Sequence, residues 1–588
     1  MNKKSFYFLS LAAAASLTFT ACSDSNDTPS DDSGKDAMES DGQYVGKAVG
    51  NFTADEWMPG GELGTTTNVN SSCYEDEAPA VNAQGLYSDF KDGEYFFKHQ
   101  YTINTAPVAG LGPAYVRRSC LDCHPGYGHG QRKDKYQTVY GNGNGYLLVV
   151  YHPTDGANSN DGGYVSEVTG MPQTQATEPF KAPIDESQID LQWEHVTAME
   201  SGLPMQFPDG EKYDLIYPVL NIPRKAFNTN PNPYDTGNKA VAFRLESTIG
   251  IIGTGLLDAI SEDDIKAQYA ATAKYYKEQG KDVSEYVNHN FWDASANDFA
   301  SGAWYTATVG AGKYANGTEG KKMVKRFTYA LTRATLQDGP GANAIWNITN
   351  VTRPDRPKLY TTDAWATAMS EDKDVIDKIK KDNSSPFWAA TDEGISTKVK
   401  GLLSPSTNQF DNEWSGTSLK PEMTANQFYQ FMVWHRGLAI PRARNLNNAE
   451  VQQGKKLFFE MGCANCHRAK WTTGDDNYWL PNMLTGKKLP QFANQTIYPY
   501  TDMMQHKLYM KNDIHNSWCR TTPLWGRGLS YMNTGAEDRL HDCRARNEVE
   551  AIMWHAYSKN SHAYESALKF YNLKKADRDA VVKFLQSI

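Results

Sequence analysis

Four of the eight cysteines in this 588-residue chain fall in two copies of one pattern, Cys-x-x-Cys-His. Cys120, Cys123 and His124 lie in SCLDCHPGYGHG, and Cys463, Cys466 and His467 lie in GCANCHRAK. A Cys-x-x-Cys pair has three common uses: half of a zinc site, a thiol redox pair, or an attachment point for c-type haem. Zinc wants a second ligand pair at modest distance, and a thioredoxin-like pair sits between a strand and a helix. Here the pairs are far apart, each with its own histidine. Each also follows a glycine-led helical turn with paired phenylalanines, DGEYFFKHQ from Asp92 and GKKLFFEMG from Gly454. Two thiols adding across haem vinyl groups, with the next imidazole binding iron, account for every element of the pattern. The expectation is two covalent c-type haems, on Cys120 and Cys123 and on Cys463 and Cys466, with His124 and His467 as proximal iron ligands.

The N-terminus suits that chemistry, because thioether haem is assembled outside the cytoplasm. Lys3 and Lys4 precede an apolar run from Phe6 to about Thr18, too short to span a membrane, and LTFTAC ends it at Cys22. This reads as a cleaved signal, 1–22, and the cysteine at its end resembles a bacterial lipoprotein box with Cys22 acylated. The acidic stretch SDSNDTPSDDSGKDAMESDG begins a flexible tether, 23–44. An acidic run in this place resembles a surface-export signal of some Gram-negative lineages. The expected location is the cell envelope, lipid-anchored to the outer membrane and facing the periplasm or the surface. A net charge of −10 leaves no basic excess for phosphates, which argues against a nucleic-acid partner.

A chain this long needs several cores. The segments read as an N-terminal haem domain, 45–265, an intervening helix and loop region, 266–445, and a C-terminal cytochrome c domain, 446–588. In the last, Asn448 is placed to cap a helix carrying Val451, Phe458 and Met461 on one face. The closing stretch puts Ala580, Val581, Phe584, Leu585 and Ile588 on another. The expected fold class is mainly α: two cytochrome c-like haem domains with long loops and a mixed, loop-rich insertion. Beyond the motifs and Cys22, three cysteines remain: Cys73, Cys519 and Cys543. In an oxidising compartment the near pair, Cys519 and Cys543, is the expected disulfide, worth about 3 kcal/mol by loop closure. A bridge from Cys73 to either is the alternative.

The distal ligand decides what each haem does: a sixth protein ligand suits electron transfer, and an open face binds small molecules. In RLHDCRARNEVEAIMWHAYS, Asn547 and Glu550 form a capping-box pattern, and His555 shares a helix face with Ala551 and Ile552. Met483, Met503, Met504 and His506 compete with His555 for the second iron. For the first, His99, His129, His152 and His195 are near in sequence and none stands out, so an open or exchangeable face is expected.

Together GLGPAYVRRSCLDCHPGYGHG, RLESTIGIIGTGLLDAISEDDI, GCANCHRAKWTTG, YPYTDMMQH, CRTTPLWGRG and LHDCRARNEVEAIMWH resemble the di-haem oxidoreductases. These bacterial proteins are described as peroxidases and sometimes as thiol oxidoreductases. The resemblance runs from about Gly85 to Ile588 and is weakest from Tyr269 to Ala425. Cys543 departs from the family, which has glycine after His-Asp, and this supports a lineage-specific disulfide. The C-terminal segment is also similar to the di-haem cytochrome c peroxidases, whose distal ligand lies fourteen residues after the equivalent histidine. Counting from His541 gives His555. Those enzymes usually carry methionine there, so histidine implies a lower potential.

The resemblance implies that hydrogen peroxide is reduced at the N-terminal haem with electrons relayed from the C-terminal one. An external donor, such as a small cytochrome or a quinol-linked protein, supplies them. Trp434, Trp518, Trp525 and Trp554 are candidate relay side chains, and Arg520, Arg527, Arg544 and Arg546 candidate partners for haem propionates. Similar peroxidases hold calcium between domains, but no acidic loop here specifies it. The alternatives are a pure electron carrier, a haem-based small-ligand sensor, and thiol oxidation.

Overall fold

The computed structural model describes residues 37, 40–105, 109–137, 145–153, 163–236, 240–307, 320–339, 344–356, 358–405 and 422–588. The signal, with Cys22, and most of the tether lie outside these residues. No helix among those described is long and apolar enough to cross a membrane.

Six helices frame the two motifs: α1 (Tyr87–Lys98), α2 (Glu262–Glu278), α3 (Ala425–Arg436), α4 (Ala449–Met461), α5 (Glu548–Trp554) and α6 (Lys575–Ser587). Local chemistry sets their ends. Asn448 accepts from the Glu450 amide at 2.8 Å to start α4, and Gly462 ends it at φ 91°. Thr424 and Gln427 form a reciprocal capping box at the start of α3. Ser261 caps α2, whose first turn holds Glu262, Asp263 and Asp264 against the helix dipole.

The helices pair twice in one way. α1, ahead of the first Cys pair, packs on α3, and α4, ahead of the second, packs on α6. Gly93 on α1 lies against the Gln430 carbonyl and Trp434, and Gly454 on α4 lies against the Ala580 carbonyl and Phe584. The equivalence continues past each closing helix. Leu438 accepts from the Gly253 amide, and Ile588 accepts from the Gly526 amide. The first motif therefore borrows its closing helix from the end of the 266–445 segment.

Strands are more prominent than a mainly α expectation allows, and the fold is mixed and loop-rich. Tyr146–Tyr151 (β1) pairs antiparallel with Ala242–Ser247 (β4), and Asp190–His195 (β2) with Ile216–Asn221 (β3). Alternating burial along β1 and β4 shows why: each buries one face only. A shorter pair, Gln505–Lys507 (β5) with Trp518–Arg520 (β6), sets His506 opposite Cys519.

The cores cut across the sequence segments. One runs from Phe90 and Cys120 through Tyr269 to Trp434, Met503 and Trp525. A second joins Phe207 and Tyr217 to Met553, Phe570 and Val581. A third gathers Trp365, Ile379 and Val399 around Phe180.

Candidate functional site

Each motif is a single 3-10 turn tied to the helix before it. Ser119 caps the first turn, accepting from the Leu121 amide and donating to the Phe97 carbonyl of α1 at 3.1 Å. In both motifs the histidine amide bonds back to the first cysteine's carbonyl, His124 to Cys120 and His467 to Cys463. The rings are oriented alike. His124 Nδ1 donates to the Gly128 carbonyl and His467 Nδ1 to the Tyr500 carbonyl, each at 3.0 Å. Fixing Nδ1–H leaves Nε2 as a bare lone pair, the form a metal needs. Burial pushes both imidazoles down to about 4, so they are neutral at physiological pH.

The second motif opens onto a cavity of about 1120 Å³, at the upper end of the ~300–1,000 Å³ usual for ligand pockets. Cys463, Cys466 and His467 line it, as do Ile552 of α5 and His555 just beyond its end. Asn547 caps α5 by accepting from the Glu550 amide at 2.9 Å. The Glu550 carboxylate turns instead to Arg546, taking its backbone and guanidinium N–H. His555 follows directly, and its Nδ1 donates to the Ala551 carbonyl at 2.7 Å, which again frees Nε2.

The competing methionines are elsewhere. Met503, Met504 and Met483 are buried in the large core. Met503 Sδ meets Arg520, and Met504 Sδ meets Thr272. None of the three lines the cavity. His506 does, with Nε2 held by Asp502 at 2.7 Å.

The four arginines separate clearly. Arg544 is spent on Asp542 and stacks on Trp554, while Arg546 is spent on Glu550 and Asp214. Arg520 and Arg527 line the cavity, and no carboxylate pairs with either among the described residues. Arg520 Nε is buried without a hydrogen-bond partner, and burial pushes its guanidinium down to about 10. Two cavity-facing guanidiniums without a carboxylate partner among the described residues suit the two carboxylates of a haem. Space, thiols, imidazole and arginines at the second motif all fit the group its sequence implies.

The first motif presents the same donor set. A small cavity of about 40 Å³ lies nearby, lined by Gly128, His129, Thr254 and Trp525, and Cys120, Cys123 and His124 are not part of its wall. Tyr329, Arg520, Thr522 and Arg527 line both cavities and form the wall between them. His129 has both nitrogens engaged, Nδ1 with the Gly130 carbonyl and Nε2 with the Tyr329 hydroxyl at 3.0 Å. His152 bonds the Ala240 carbonyl, His195 bonds Asp214 near the surface, and His99 lies tilted against Tyr95 and edge-on to Tyr101.

Sequence reasoning missed His435. It is buried on α3, its Nδ1 has no partner, and its Nε2 lies 3.5 Å from the Thr254 hydroxyl. Burial pushes it down to about 3, and His124 is close enough to contribute. The signal was the helix echo: carried on from Gly93 and Gly454 to the closing helices, it sets His435 opposite Leu585, which lines the second cavity.

The candidate relay tryptophans also sort by place. Trp434 packs between Phe97 and Phe431, and Trp518 edges on His562. Of the four, Trp525 lines the smaller of these two cavities.

The structure does not join Cys519 to Cys543; both are free thiols. Cys543 Sγ lies 3.2 Å from Ser247 Oγ and from the Gly130 carbonyl. Cys519 Sγ faces Asp513 and His541. Cys543 has φ 64°, the left-handed conformation that favours glycine. Cys73 is buried beside Asn533.

A family model described as "Di-haem oxidoreductase, putative peroxidase" matches residues 409–588. That segment is similar to the di-haem oxidoreductase family. The match begins ahead of α3 and takes in the second motif, α5 and α6, so this family segment contains the closing helix of the first motif as well as the whole of the second site. No curated protein matches the chain.

Proposed function

We propose that this chain is an exported, lipid-anchored c-type oxidoreductase with two haems that reduces hydrogen peroxide. In this reading electrons enter at the C-terminal site from an external donor, such as a small cytochrome or a quinol-linked protein, and peroxide is reduced at the N-terminal site. The observation that carries it is the doubled donor set: two thiols and an imidazole with Nδ1 tied to a backbone carbonyl, presented twice. The family match over 409–588 supports the oxidoreductase class.

When bound, the haems supply electron storage and the O–O bond chemistry, and two stored electrons are what peroxide reduction requires. The chain's own residues do the rest. Cys120, Cys123, Cys463 and Cys466 anchor the groups. His124 and His467 offer neutral Nε2 lone pairs to iron, and His555 offers a second one at the C-terminal site. Arg520 and Arg527 set positive charge at the wall between the sites. Acylated Cys22 holds the protein at the outer membrane.

A second reading rests on His435. An imidazole with an unpartnered nitrogen beside His124 suits a six-coordinate first iron, and the protein is then an electron carrier. The test uses matured protein from a host that exports c-type cytochromes. The enzyme reading expects two haems per chain that resist acid-acetone extraction, one high-spin resonance in the oxidised protein, and peroxide-dependent oxidation of a reduced cytochrome. Two low-spin signals with no turnover would replace it with the carrier.

A further inference from the structure

The hairpin of β5 and β6 and the turn before α5 bring three buried side chains together. Cys519 Sγ lies 3.8 Å from Asp513 Oδ1 and 3.7 Å from His541 Nδ1. His541 Nε2 lies 3.4 Å from Asp513 Oδ1. We propose that Asp513, Cys519 and His541 bind a zinc ion, with its fourth position facing the large cavity.

Three observations carry this. The first is spacing. One ligand atom from each residue falls within 4.8 Å of the other two. Tetrahedral zinc, with bonds of about 2.3 Å to sulfur and 2.0–2.1 Å to nitrogen or oxygen, holds ligand atoms roughly 3.3–3.6 Å apart. Sulfur and carboxylate, at 3.8 Å, are a few tenths of an ångström beyond that; Nδ1 of His541 is near the sulfur and Nε2 near the carboxylate, so one nitrogen of the ring must turn toward the ion to complete the set.

The second is unmet charge and bonding. The Asp513 side chain is 4% exposed. It takes backbone N–H from Met510 and Ile514, but no lysine or arginine pairs with it among the described residues. The neighbouring Asp542 does not share this need, because Arg544 grips both of its oxygens. His541 is 2% exposed, and its Nε2 has no hydrogen-bond partner. A buried carboxylate and a buried bare imidazole nitrogen side by side are costly unless a cation joins them.

The third is donor chemistry. Thiolate, imidazole and carboxylate are the zinc ligand set, and three protein ligands leave one position open. Cys519 and His541 both line the large cavity, so that position is reachable from it. The other grouping of this kind among the described residues, Cys466 with Asp502 and His506, is excluded because Cys466 belongs to the second haem-attachment motif. Binding is a simple exchange: Zn²⁺ enters, the Cys519 thiol loses its proton to solvent, and a Zn–S bond forms with no change of oxidation state.

The test is X-ray absorption at the zinc edge on the full matured protein, incubated with zinc chloride and desalted. This readout is blind to haem iron. The expected result is one zinc per chain with a sulfur scatterer at about 2.3 Å and nitrogen or oxygen at about 2.0 Å. Cys519→Ser and His541→Gln each lower retained zinc at least about tenfold, with iron content unchanged, while Cys73→Ser retains it. Wild-type protein that takes up no zinc, or holds it without sulfur, overturns the proposal, even if the variants fail to mature. Peroxidase activity does not enter this readout, so failure here is distinct from failure of the proposed function.

Discussion

Gly454 on α4 lies so close to Ala580 on α6 that a methyl group added there would stand 1.9 Å from the Ala580 carbonyl oxygen. Gly93 has the same relation to Gln430, at 2.0 Å. Backbone cannot step aside as a side-chain tip can, so Gly454→Ala must push α4 and α6 apart beneath the second motif. The expected cost is about 1–3 kcal/mol, read as a lower urea midpoint together with lower haem content. Gly401→Ala is the control, since no described residue lies within 4 Å of its added methyl. It sits inside a helix and is expected to stabilise by up to about 1 kcal/mol.

Arg520 is a buried cation with no carboxylate partner among the described residues. Replacing it with glutamine removes positive charge from the cavity wall and makes reduction at the second site less favourable. The expected midpoint potential falls by about 60 mV, equivalent to tenfold in a one-electron equilibrium. Spectroelectrochemical titration reads this directly. Arg546→Gln, which loses only its pairing with Glu550 and Asp214, leaves the potential within error. Equal shifts in the two variants would show that Arg520 plays no local part.

His555 presents a free Nε2 to the same cavity as His467. His555→Met is expected to raise the second site's potential, because thioether is a weaker donor to oxidised iron than imidazole. His555→Ala converts that signal from low to high spin. Met503→Leu and Met504→Leu leave the spectrum unchanged, since neither side chain reaches the cavity. A low-spin second site that survives His555→Ala would move the ligand to His506.

These residues also mark how far the chain could be read before it was folded. The Asn448 cap, the buried face of α4 and the cap before α5 follow from spacing within about a dozen residues, and each stands where spacing puts it. The closing helix of the first motif does not. α3 lies hundreds of residues beyond Cys123 and shares little sequence with α6. Trp434 and Phe584, each packed on a glycine of the opening helix, and the matching backbone bonds beyond them show that the helices serve one purpose. The same long separation hid His435. Burial separates Met503 from His555, and no local pattern encodes burial. Cys519 and Cys543 are near in sequence, but the β5–β6 hairpin turns one thiol toward Asp513 while the turn at Leu540–Cys543 sends the other to Ser247.

Acid sensitivity follows from the buried imidazoles. Burial holds His124 and His467 to about 4 and His435 and His562 to about 3. In the unfolded chain each titrates near 6.5. Between these values the unfolded state binds more protons, so stability rises with pH there and falls as pH drops from 6.5 to about 4. Burial raises Asp258 and Asp538, which take up protons in the fold and offset part of this loss. Urea midpoints measured from pH 7.5 to 4.5 should decline steadily below 6.5. A flat profile would mean that these histidines are exposed or carry charge in the native state.

Cys543 offers the sharpest test of how its thiol is used. At φ 64° its backbone is one that glycine adopts without strain, while a side chain adds a cost. Cys543→Gly removes that strain and also gives up the contacts with Ser247 and Gly130, so the two changes oppose. The expected net change is within about 1 kcal/mol of the parent. A disulfide to Cys519 would make the same substitution cost about 3 kcal/mol through the loop it opens. Urea unfolding of the two proteins, with and without reductant, separates these outcomes. As free thiols, Cys519 and Cys543 should both take up an alkylating reagent in denaturant before any reductant is added.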